Sequence, residues 1–382
     1  MNRRKFLKIA GSTGVIVAAG GVGFVATRTP KAALKPWKNA GSLYPDPMRR
    51  ALSYAILAPN PHNRQPWIVD LKSGAEAVLT CDLNRLLPAT DPFSRQIVIG
   101  LGCFLELFSI AAADQGYRAD IRYFPDGEPG EKLDERPIAH LSLTKQEGLA
   151  KDRLFAQTLN RHTNREKYDM SRAVGDDALQ RLRNVATDKV RIDGVGSGKL
   201  LDALRALTKD AIVTEIRTPE AYQESVDLMR IGRAEIEANP DGISLGGAFL
   251  ETLGLVGILT RESVADPKSR SFQIGIDMVE EGAMTSMGFV WINTIGNDRT
   301  AQVEAGRAYM RIALQATADD LAMQPMSQAL QEYSAMAPYY ETIHDRLTDQ
   351  SGERVQMLAR LGYAEDVGPA PRWPLEARVK KS

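Results

Sequence analysis

The chain has 382 residues, enough for two or three domain-sized units, and its hydrophobic content of 43% can build a large core. Lys+Arg and Asp+Glu are equal at 48 each, so no excess charge would attract nucleic acid or an anionic membrane. The two cysteines, Cys81 and Cys103, are too few for a disulfide scaffold and are predicted to be small core residues. No His and Cys residues have metal-ligand spacing, so no metal is expected.

The first 30 residues have the layout of a targeting segment. The basic stretch RRKFLK at residues 3–8 precedes an uncharged run from Ile9 to Thr27. That stretch matches the twin-arginine export consensus, so residues 1–30 are predicted to be an export signal, the export machinery a partner, and the protein periplasmic or exported. The uncharged run of 19 residues is also near the length that spans a bilayer, and no clear Ala-x-Ala site follows. An uncleaved N-terminal membrane anchor is therefore the alternative.

The next region, 46–149, is predicted to be a compact α+β unit that follows a linker at 31–45. Asp46-Pro47 supplies an N-cap and a first-turn proline for an amphipathic helix, which must stop at Ala58 before Pro59. The patterns then predict strands at 67–71 and 77–81, a long helix at 95–115, and strands at 119–124 and 138–143.

A proline-rich turn, APNPHNRQPW at residues 58–67, separates the first helix from the first strand. Its three prolines fix the backbone before any ligand binds. Asn60, Asn63 and Gln65 carry amides that both donate and accept, as the polar edge of a heterocycle would require. The sequence therefore predicts a rigid platform for a flat ligand, and an ordinary proline-rich loop is the alternative.

This turn resembles the Ala-Pro-Ser-x-x-Asn-x-Gln-Pro-Trp segment of the nitroreductase family, with Asn60 in place of the family serine. In that family the segment lies against FMN. The resemblance implies an α+β, nitroreductase-like fold and an FMN cofactor contacted by Pro59, Asn60, Asn63 and Gln65.

A second half is predicted at residues 150–382. Its long helix repeats the first one at an offset of 206 residues, which aligns Gly100 with Gly306 and Asp114 with Asp320. Any two amphipathic helices align at a few positions, so this repeat is weak by itself. Nitroreductases are usually homodimers, and the Acg-like branch fuses two halves and keeps one site. The resemblance thus implies a pseudo-dimer of two fused halves, with sheets flanked by helices and one composite FMN site.

The second half carries the arginines that the first half lacks. Residues 161–165, RHTNR, resemble the family's Arg-x-Ser-x-Arg motif, and Arg372 resembles its C-terminal basic residue. The resemblance implies that Arg161, Arg165 and Arg372 bind the FMN phosphate, which a planar guanidinium matches with two parallel donors. Thr163 would cap the turn or reach the phosphate. The alternative for Arg161 and Arg165 is a solvated helix face.

Two further segments flank the predicted site. FVWINT at 289–294 is predicted to be a buried strand, and Met326 and Ser327 follow the second long helix. The resemblance implies that their backbone N–H groups lie near flavin N5. Residues 240–285, rich in glycine and apolar side chains, are predicted to form a lid, with a helical hairpin packed on the core as the alternative.

The sequence therefore predicts an exported FMN-binding oxidoreductase of nitroreductase type that transfers electrons through flavin N5 to a small organic acceptor. No side chain is expected to act as acid or base, since the flavin carries the chemistry. NAD(P)H, the family's usual donor, is not expected outside the cytoplasm, so a flavin-holding protein without turnover is one alternative. The other is a serine hydrolase, because GISLG at 242–246 fits Gly-x-Ser-x-Gly around Ser244, with His344 as the downstream histidine.

Overall fold

The computed structural model describes residues 28–380 and shows an α+β fold, as predicted. Two four-stranded antiparallel sheets form its framework, and a short parallel pair of strands lies apart from them. The predicted twin-arginine segment lies outside the described residues.

The first sheet follows the predicted helix and turn. Asp46 caps the helix, accepting hydrogen bonds from the backbone N–H groups of Met48 and Arg49. The elements in chain order are α1 (Lys35–Asn39), α2 (Pro47–Ala55), β1 (Trp67–Leu71), β2 (Glu76–Cys81), α3 (Arg95–Asp114), β3 (Tyr117–Tyr123) and β4 (Ala139–Lys145).

The second sheet has a helical insertion between its first two strands. Its elements are α4 (Asp176–Arg183), β5 (Arg191–Val195), α5 (Gly198–Arg217), α6 (Pro219–Asp227), β6 (Met229–Ile231), α7 (Gly232–Ala238), β7 (Ile243–Leu245), α8 (Ala248–Leu255), α9 (Arg261–Ala265), α10 (Arg270–Met284), β8 (Gly288–Ile295), α11 (Arg299–Ala318), β9 (Ala322–Pro325), α12 (Ala337–Leu347) and β10 (Glu353–Gly362).

The two sheets share one topology. The first has the strand order β1-β2-β4-β3 and the second has β5-β8-β10-β9. In each sheet a helix precedes the first strand, and a long helix joins the second strand to the third. The second half therefore repeats the connectivity of the first, apart from the insertion between β5 and β8 and helix α12 between β9 and β10.

The long helices α3 and α11 cross at Gly102 and Gly306. A Cβ on Gly102 would lie 2.2 Å from the carbonyl oxygen of Val303, and one on Gly306 would lie 2.0 Å from that of Ile99. Both contacts, and both ends of the two helices, relate positions 204 residues apart. The predicted offset of 206 residues was therefore wrong by two. Gly100, which that offset aligned with Gly306, instead faces Asn60 and Pro61 of the turn.

Helix α3 is long and apolar enough to cross a bilayer, with a mean hydropathy of 1.9, but 83% of its most apolar stretch is buried in the protein. It is the central helix of the first half's core. Cys81 and Cys103 are buried free thiols, as predicted.

Two terminal segments pack against the core. The region 31–45 is not a loose linker, because α1 buries Trp37 and the indole N–H donates to the carbonyl of Ala370 at 2.8 Å. At the other end, Val69 of β1 exchanges backbone hydrogen bonds with Arg378 and Lys380. The tail of the second half is thereby joined to the first sheet.

Candidate functional site

The proline-rich turn is held in a left-handed backbone conformation. His62, Asn63 and Gln65 have φ values of 44°, 50° and 50°, which cost side chains free energy and need support from neighbours. Asn60 supplies part of it, because its Oδ1 accepts from the Gln65 N–H at 2.6 Å and its Nδ2 donates to the Ala58 carbonyl at 3.1 Å. The Asn60 amide therefore closes the turn, and both of its polar atoms are used within it.

The other two amides bind the C-terminal segment and the insertion. Asn63 Nδ2 donates to the Pro371 carbonyl at 3.0 Å. Gln65 is fully buried; its Oε1 accepts from the Trp373 N–H at 2.9 Å, and its Nε2 donates to the Pro240 carbonyl at 2.8 Å. In this arrangement the two amides join distant parts of the protein, so the structure gives no support to their predicted role at a flavin edge. Pro59 is half-buried beside them.

Arg372 reaches the same turn, and all of its N–H groups donate hydrogen bonds there. Its Nε donates to Ile56 O at 3.0 Å, and Nη1 donates to Asn63 Oδ1 at 2.6 Å and to Pro371 O. Nη2 donates to the carbonyls of Leu57 and Ala58 at 3.0 Å each. Because arginine has five N–H donors, none remains for a phosphate here. The predicted phosphate ligand is thus seen as a cap on the carbonyls that end α2.

Arg161 converges on the same helix end and keeps a free donor. Its Nη2 donates to the Leu57 carbonyl at 3.1 Å, while its buried Nε has no partner. The Trp37 ring lies near both guanidinium groups, with its centre 5.9 Å from Arg161 Cζ and 5.5 Å from Arg372 Cζ. Burial and the charge of Arg161 lower the pKa of Arg372 to about 9.

Arg165 lies close enough to the turn for its charge to act on His62. The residue is exposed to solvent, yet desolvation by the surrounding protein lowers the pKa of its guanidinium. Burial first, and then the charges of Arg165 and Arg64, lower the pKa of His62 to about 4. Tyr309 of α11 is buried in the field of both Arg161 and Arg165, and burial raises the pKa of its hydroxyl. The structure therefore brings the predicted turn and the predicted arginine motif together, one from each half.

The rest of the RHTNR motif is well anchored. The N–H of Asn164 donates to the Met323 carbonyl, and its side-chain amide donates to the Glu365 carbonyl at 2.8 Å. Thr163 is half-buried on the same segment. His162 packs edge-on against Trp37, and neither of its buried ring nitrogens has a hydrogen-bond partner within residues 28–380.

Met326 and Ser327 differ in whether their backbone N–H groups are free to bind a ligand. Met326 is buried, and its N–H is already used by the Leu358 carbonyl of β10. Ser327 is half-buried and begins a 3-10 helix, Ser327–Leu330, whose first N–H groups lack intrahelical partners. Ser327 is therefore the one of the two with a backbone donor to give a ligand.

Arg360 of β10 was missed at the sequence level. It is fully buried, donates to Gln324 Oε1 and to the carbonyls of Gly282 and Glu166 at 2.6–2.8 Å, and stacks on the Tyr168 ring at 3.8 Å. It thereby ties the end of α10 to the segment after Arg165. An arginine inside an apolar strand pattern was the available signal, because such a charge needs a specific environment.

The insertion contacts the turn through the neighbours of Asp241, namely Pro240 and Gly242. The Asp241 carboxylate accepts from Arg85 at 2.5 Å and from Arg230 at 2.8 Å. Burial raises its pKa, but these two arginines outweigh burial and hold it below the ordinary value. Since Gly242 N–H also donates to Asn63 O at 3.3 Å, the start of the predicted lid is fastened to the turn. The lid itself stays a prediction.

The serine of the Gly-x-Ser-x-Gly match is not part of a catalytic arrangement. Ser244 is exposed in the middle of β7, and within residues 28–380 its hydroxyl has no histidine partner. His344 points Nδ1 at the Tyr340 carbonyl of its own helix, 2.7 Å away. The described residues also contain no group of three or more His, Cys, Asp or Glu suited to a metal.

Known proteins match the chain over most of its length. A Mycobacterium tuberculosis protein named "Putative NAD(P)H nitroreductase" is 25% identical over 351 residues, covering 87% of this chain and 91% of that protein. An uncharacterized protein of the same organism is 33% identical over 129 residues, covering 32% of this chain and 36% of that protein. No family model matches. The first match confirms the resemblance to the nitroreductase superfamily.

Among solved structures, the Mycobacterium smegmatis FMN-dependent nitroreductase in complex with NADPH has 16% identity and a TM-score of 0.37, covering 60% of this chain and 98% of that one. A Desulfitobacterium hafniense nitroreductase with bound FMN has 15% identity and a TM-score of 0.35, covering 61% of this chain and 100% of that one.

Proposed function

We propose that this chain, a relative of the nitroreductase superfamily, holds one FMN between its two halves and passes electrons from it to a small organic acceptor. The proposal also takes the two sheets of equal topology as fused halves of an ancestral dimer. The turn would come from the first half and the arginine motif from the second.

The observation that carries the proposal is a cluster of arginines without carboxylate partners. Within residues 28–380, no Asp or Glu forms an ion pair with Arg161, Arg165, Arg360 or Arg372, and burial lowers the pKa of each. Arg161, Arg360 and Arg372 are buried, and buried cations without a counter-charge are costly, so such a cluster favours an anion. A phosphate carries about two negative charges, and its oxygens match the planar guanidinium.

The free donors indicate which residues would hold the phosphate. Arg161 has an unpartnered Nε, and Arg165 has no hydrogen-bond partner within the described residues. Thr163 lies between them in sequence and would add its hydroxyl. Arg360 and Arg372 contribute positive charge, while their hydrogen bonds hold the surrounding backbone.

FMN, when bound, supplies the hydride and electron transfer. The residues of this chain provide position and electrostatics. The turn, fixed by Asn60, Asn63 and Gln65, gives a rigid wall that needs no rearrangement on binding. Trp37 covers Arg161 and Arg372 on one side, which keeps water from the two cations. Ser327 supplies a backbone N–H donor on the second half.

The test is a titration of flavin-free protein with FMN, with flavin fluorescence as the readout. The visible spectrum of the purified protein shows whether it already contains flavin. Arg165→Gln should weaken FMN binding about tenfold to a hundredfold, because a charge-assisted hydrogen bond contributes roughly 1.5–3 kcal/mol. Arg354→Gln alters an exposed arginine of β10 and should bind FMN normally. Equal affinities for the two variants, or purified protein without flavin bands and without FMN binding, would contradict the proposal.

Turnover is a separate part of the proposal, with a flavin-holding protein as the alternative. Turnover is supported by the similarity, over 87% of this chain, to a protein that is named an NAD(P)H nitroreductase. Adding NADH and then a nitroaromatic to the flavin-loaded protein distinguishes the two. Bleaching of the flavin band by NADH, followed by recovery on addition of the acceptor, indicates turnover. A flavin band that NADH leaves oxidised but that dithionite bleaches indicates a holding role.

Export by the twin-arginine pathway remains part of the proposal. The support is the RRKFLK sequence at residues 3–8 and the uncharged run after it. Replacing Arg3 and Arg4 by lysines should keep the protein in the cytoplasm of its host, and fractionation measures it. Unchanged distribution between cytoplasm and periplasm would count against this route.

A further inference from the structure

An apolar surface lies at the C-terminal end of α8 and is made by Leu255, Val256 and Ile258, here called the α8 tip. These side chains are 70%, 63% and 54% exposed. Helix α8 buries none of its residues. Single exposed apolar side chains are ordinary, but three within four positions form a patch of the kind that marks an interaction surface.

The N-terminal segment leaves the described structure beside this tip. Arg28 Nη1 pairs with Glu251 Oε1 of α8 at 3.0 Å. Because Glu251 and Leu255 are four residues apart on one helix, they lie on the same side, one turn from each other. Ala32 N–H also donates to Glu237 Oε1 at 3.3 Å, which fastens the segment after Arg28 to α7. The first described residue of the chain, Arg28, therefore lies on the helix that carries the α8 tip.

Basic side chains border the tip on another side. Ser271 Oγ donates to the Ile258 carbonyl at 3.0 Å, so the start of α10 lies next to the tip. Arg270, the neighbour of Ser271, is exposed, and so is Lys268 before it. The same segment exposes Glu262 and Asp266, so charged side chains of both signs border the apolar tip, as on a surface that lies at the interface of a bilayer.

We propose that the α8 tip contacts a membrane, namely the bilayer that receives the N-terminal apolar run. If the N-terminal run lies in the bilayer, Arg28, which follows it in sequence, keeps the tip close to the membrane, because its partner Glu251 is about one helical turn from Leu255. Leu255, Val256 and Ile258 then insert at the acyl boundary while Arg270 and Lys268 face the headgroups. This second contact orients the protein on the bilayer, which a single flexible anchor does not. The inference is independent of FMN binding.

The experiment uses the full chain in vesicles of phosphatidylethanolamine and phosphatidylglycerol. Val256→Cys is labelled with an environment-sensitive fluorophore, and because Cys81 and Cys103 are buried, labelling of the folded protein is selective. Glu147→Cys, in an exposed polar turn after β4, is the matched control. Lipids carrying a nitroxide near the acyl boundary should remove most of the emission at position 256 and leave that at 147 unchanged.

Ile258→Cys gives an independent label at the same tip. Equal quenching at 147 and 256, or none at 256 and 258, overturns the proposal. Blue-shifted emission at 256 in detergent, without quenching by the nitroxide lipid in vesicles, also overturns it, because the tip is then covered by protein. Quenching at 256 and 258 but not at 147 supports it.

Discussion

Gly102 and Gly306 meet where the two long helices cross, and each faces the carbonyl of the residue three positions before the other. An added Cβ would lie 2.2 Å from Val303 O in one case and 2.0 Å from Ile99 O in the other. The reciprocal contact has the form of an isologous interface, in which the same surface of two copies is self-complementary. Here both copies belong to one chain, which supports the proposal that the halves were once separate subunits.

Replacing Gly306 by alanine is expected to lower the free energy of unfolding by about 2–3 kcal/mol, because the clash is with backbone and cannot be relieved by a side-chain rotation. Urea denaturation measures the change. Gly275→Ala is the control: it also lies in a helix, α10, but its Cβ would meet nothing within 4 Å. That variant should gain about 0.5–1 kcal/mol from helix propensity. Equal stability of the two variants would refute the crossing described above.

Arg372→Met should destabilise the protein even without flavin. The change removes five hydrogen bonds and leaves the Ile56 carbonyl and Asn63 Oδ1 without their side-chain donor, while the Leu57, Ala58 and Pro371 carbonyls keep a donor from Arg161, Asn60 and Asn63. An unsatisfied buried acceptor costs about 1–3 kcal/mol, so a total loss of at least about 2 kcal/mol is expected in denaturation of the flavin-free protein. If instead stability is unchanged and only FMN affinity falls, Arg372 is the phosphate ligand that the sequence predicted.

Much of the local structure could be predicted from the sequence. The first strand was predicted at 67–71 and is Trp67–Leu71, and the first long helix was predicted at 95–115 and is Arg95–Asp114. Periodicity, the Asp46 cap and the prolines determine these elements over short distances, and short-range patterns are what a single sequence records.

The sequence predicted which segments lie together better than it predicted the hydrogen bonds between them. The turn and RHTNR were expected to meet, and they do. The hydrogen-bond partners of their polar atoms could not be predicted. Asn63 and Arg372, for example, are 309 positions apart, and such a pairing leaves no local pattern in the sequence. Trp37 was placed in a linker for the same reason: its burial depends on the distant Ala370 and on two arginines.

The pKa of His62 depends on the positive charges of Arg165 and Arg64 beside it. Burial, Arg165 and Arg64 lower its pKa to about 4, below the unfolded value of about 6.5. The folded state therefore binds this proton less readily, and stability, complete above about pH 6.5, is lost as pH falls through 4, by up to about 3 kcal/mol. A phosphate at Arg165 would offset that positive charge and raise the His62 pKa.

Proton NMR of the four histidines measures this shift. The resonance that disappears in His62→Gln should titrate at a low pH in the free protein and at a higher pH with inorganic phosphate. His140, exposed on β4, is the internal control and should not respond. A His62 titration that phosphate leaves unchanged would place the anion away from Arg165.

Glu215 of α5 should make the protein less stable at higher pH. Burial raises its pKa to about 7, although the side chains of Gln331 and Gln328 hydrogen-bond to it and oppose the shift. Because the folded pKa exceeds the unfolded value of about 4.3, stability is greatest below about pH 4.3 and is lost as pH rises through 7. Glu215→Gln carries no charge and should be about 1–3 kcal/mol more stable than the unchanged protein at pH 8, with little difference near pH 5. Urea denaturation at the two pH values checks this, with exposed Glu341→Gln as the control. If Glu215→Gln is destabilised equally at both pH values, the ionised carboxylate is a favourable partner of Gln331 and the raised pKa is wrong.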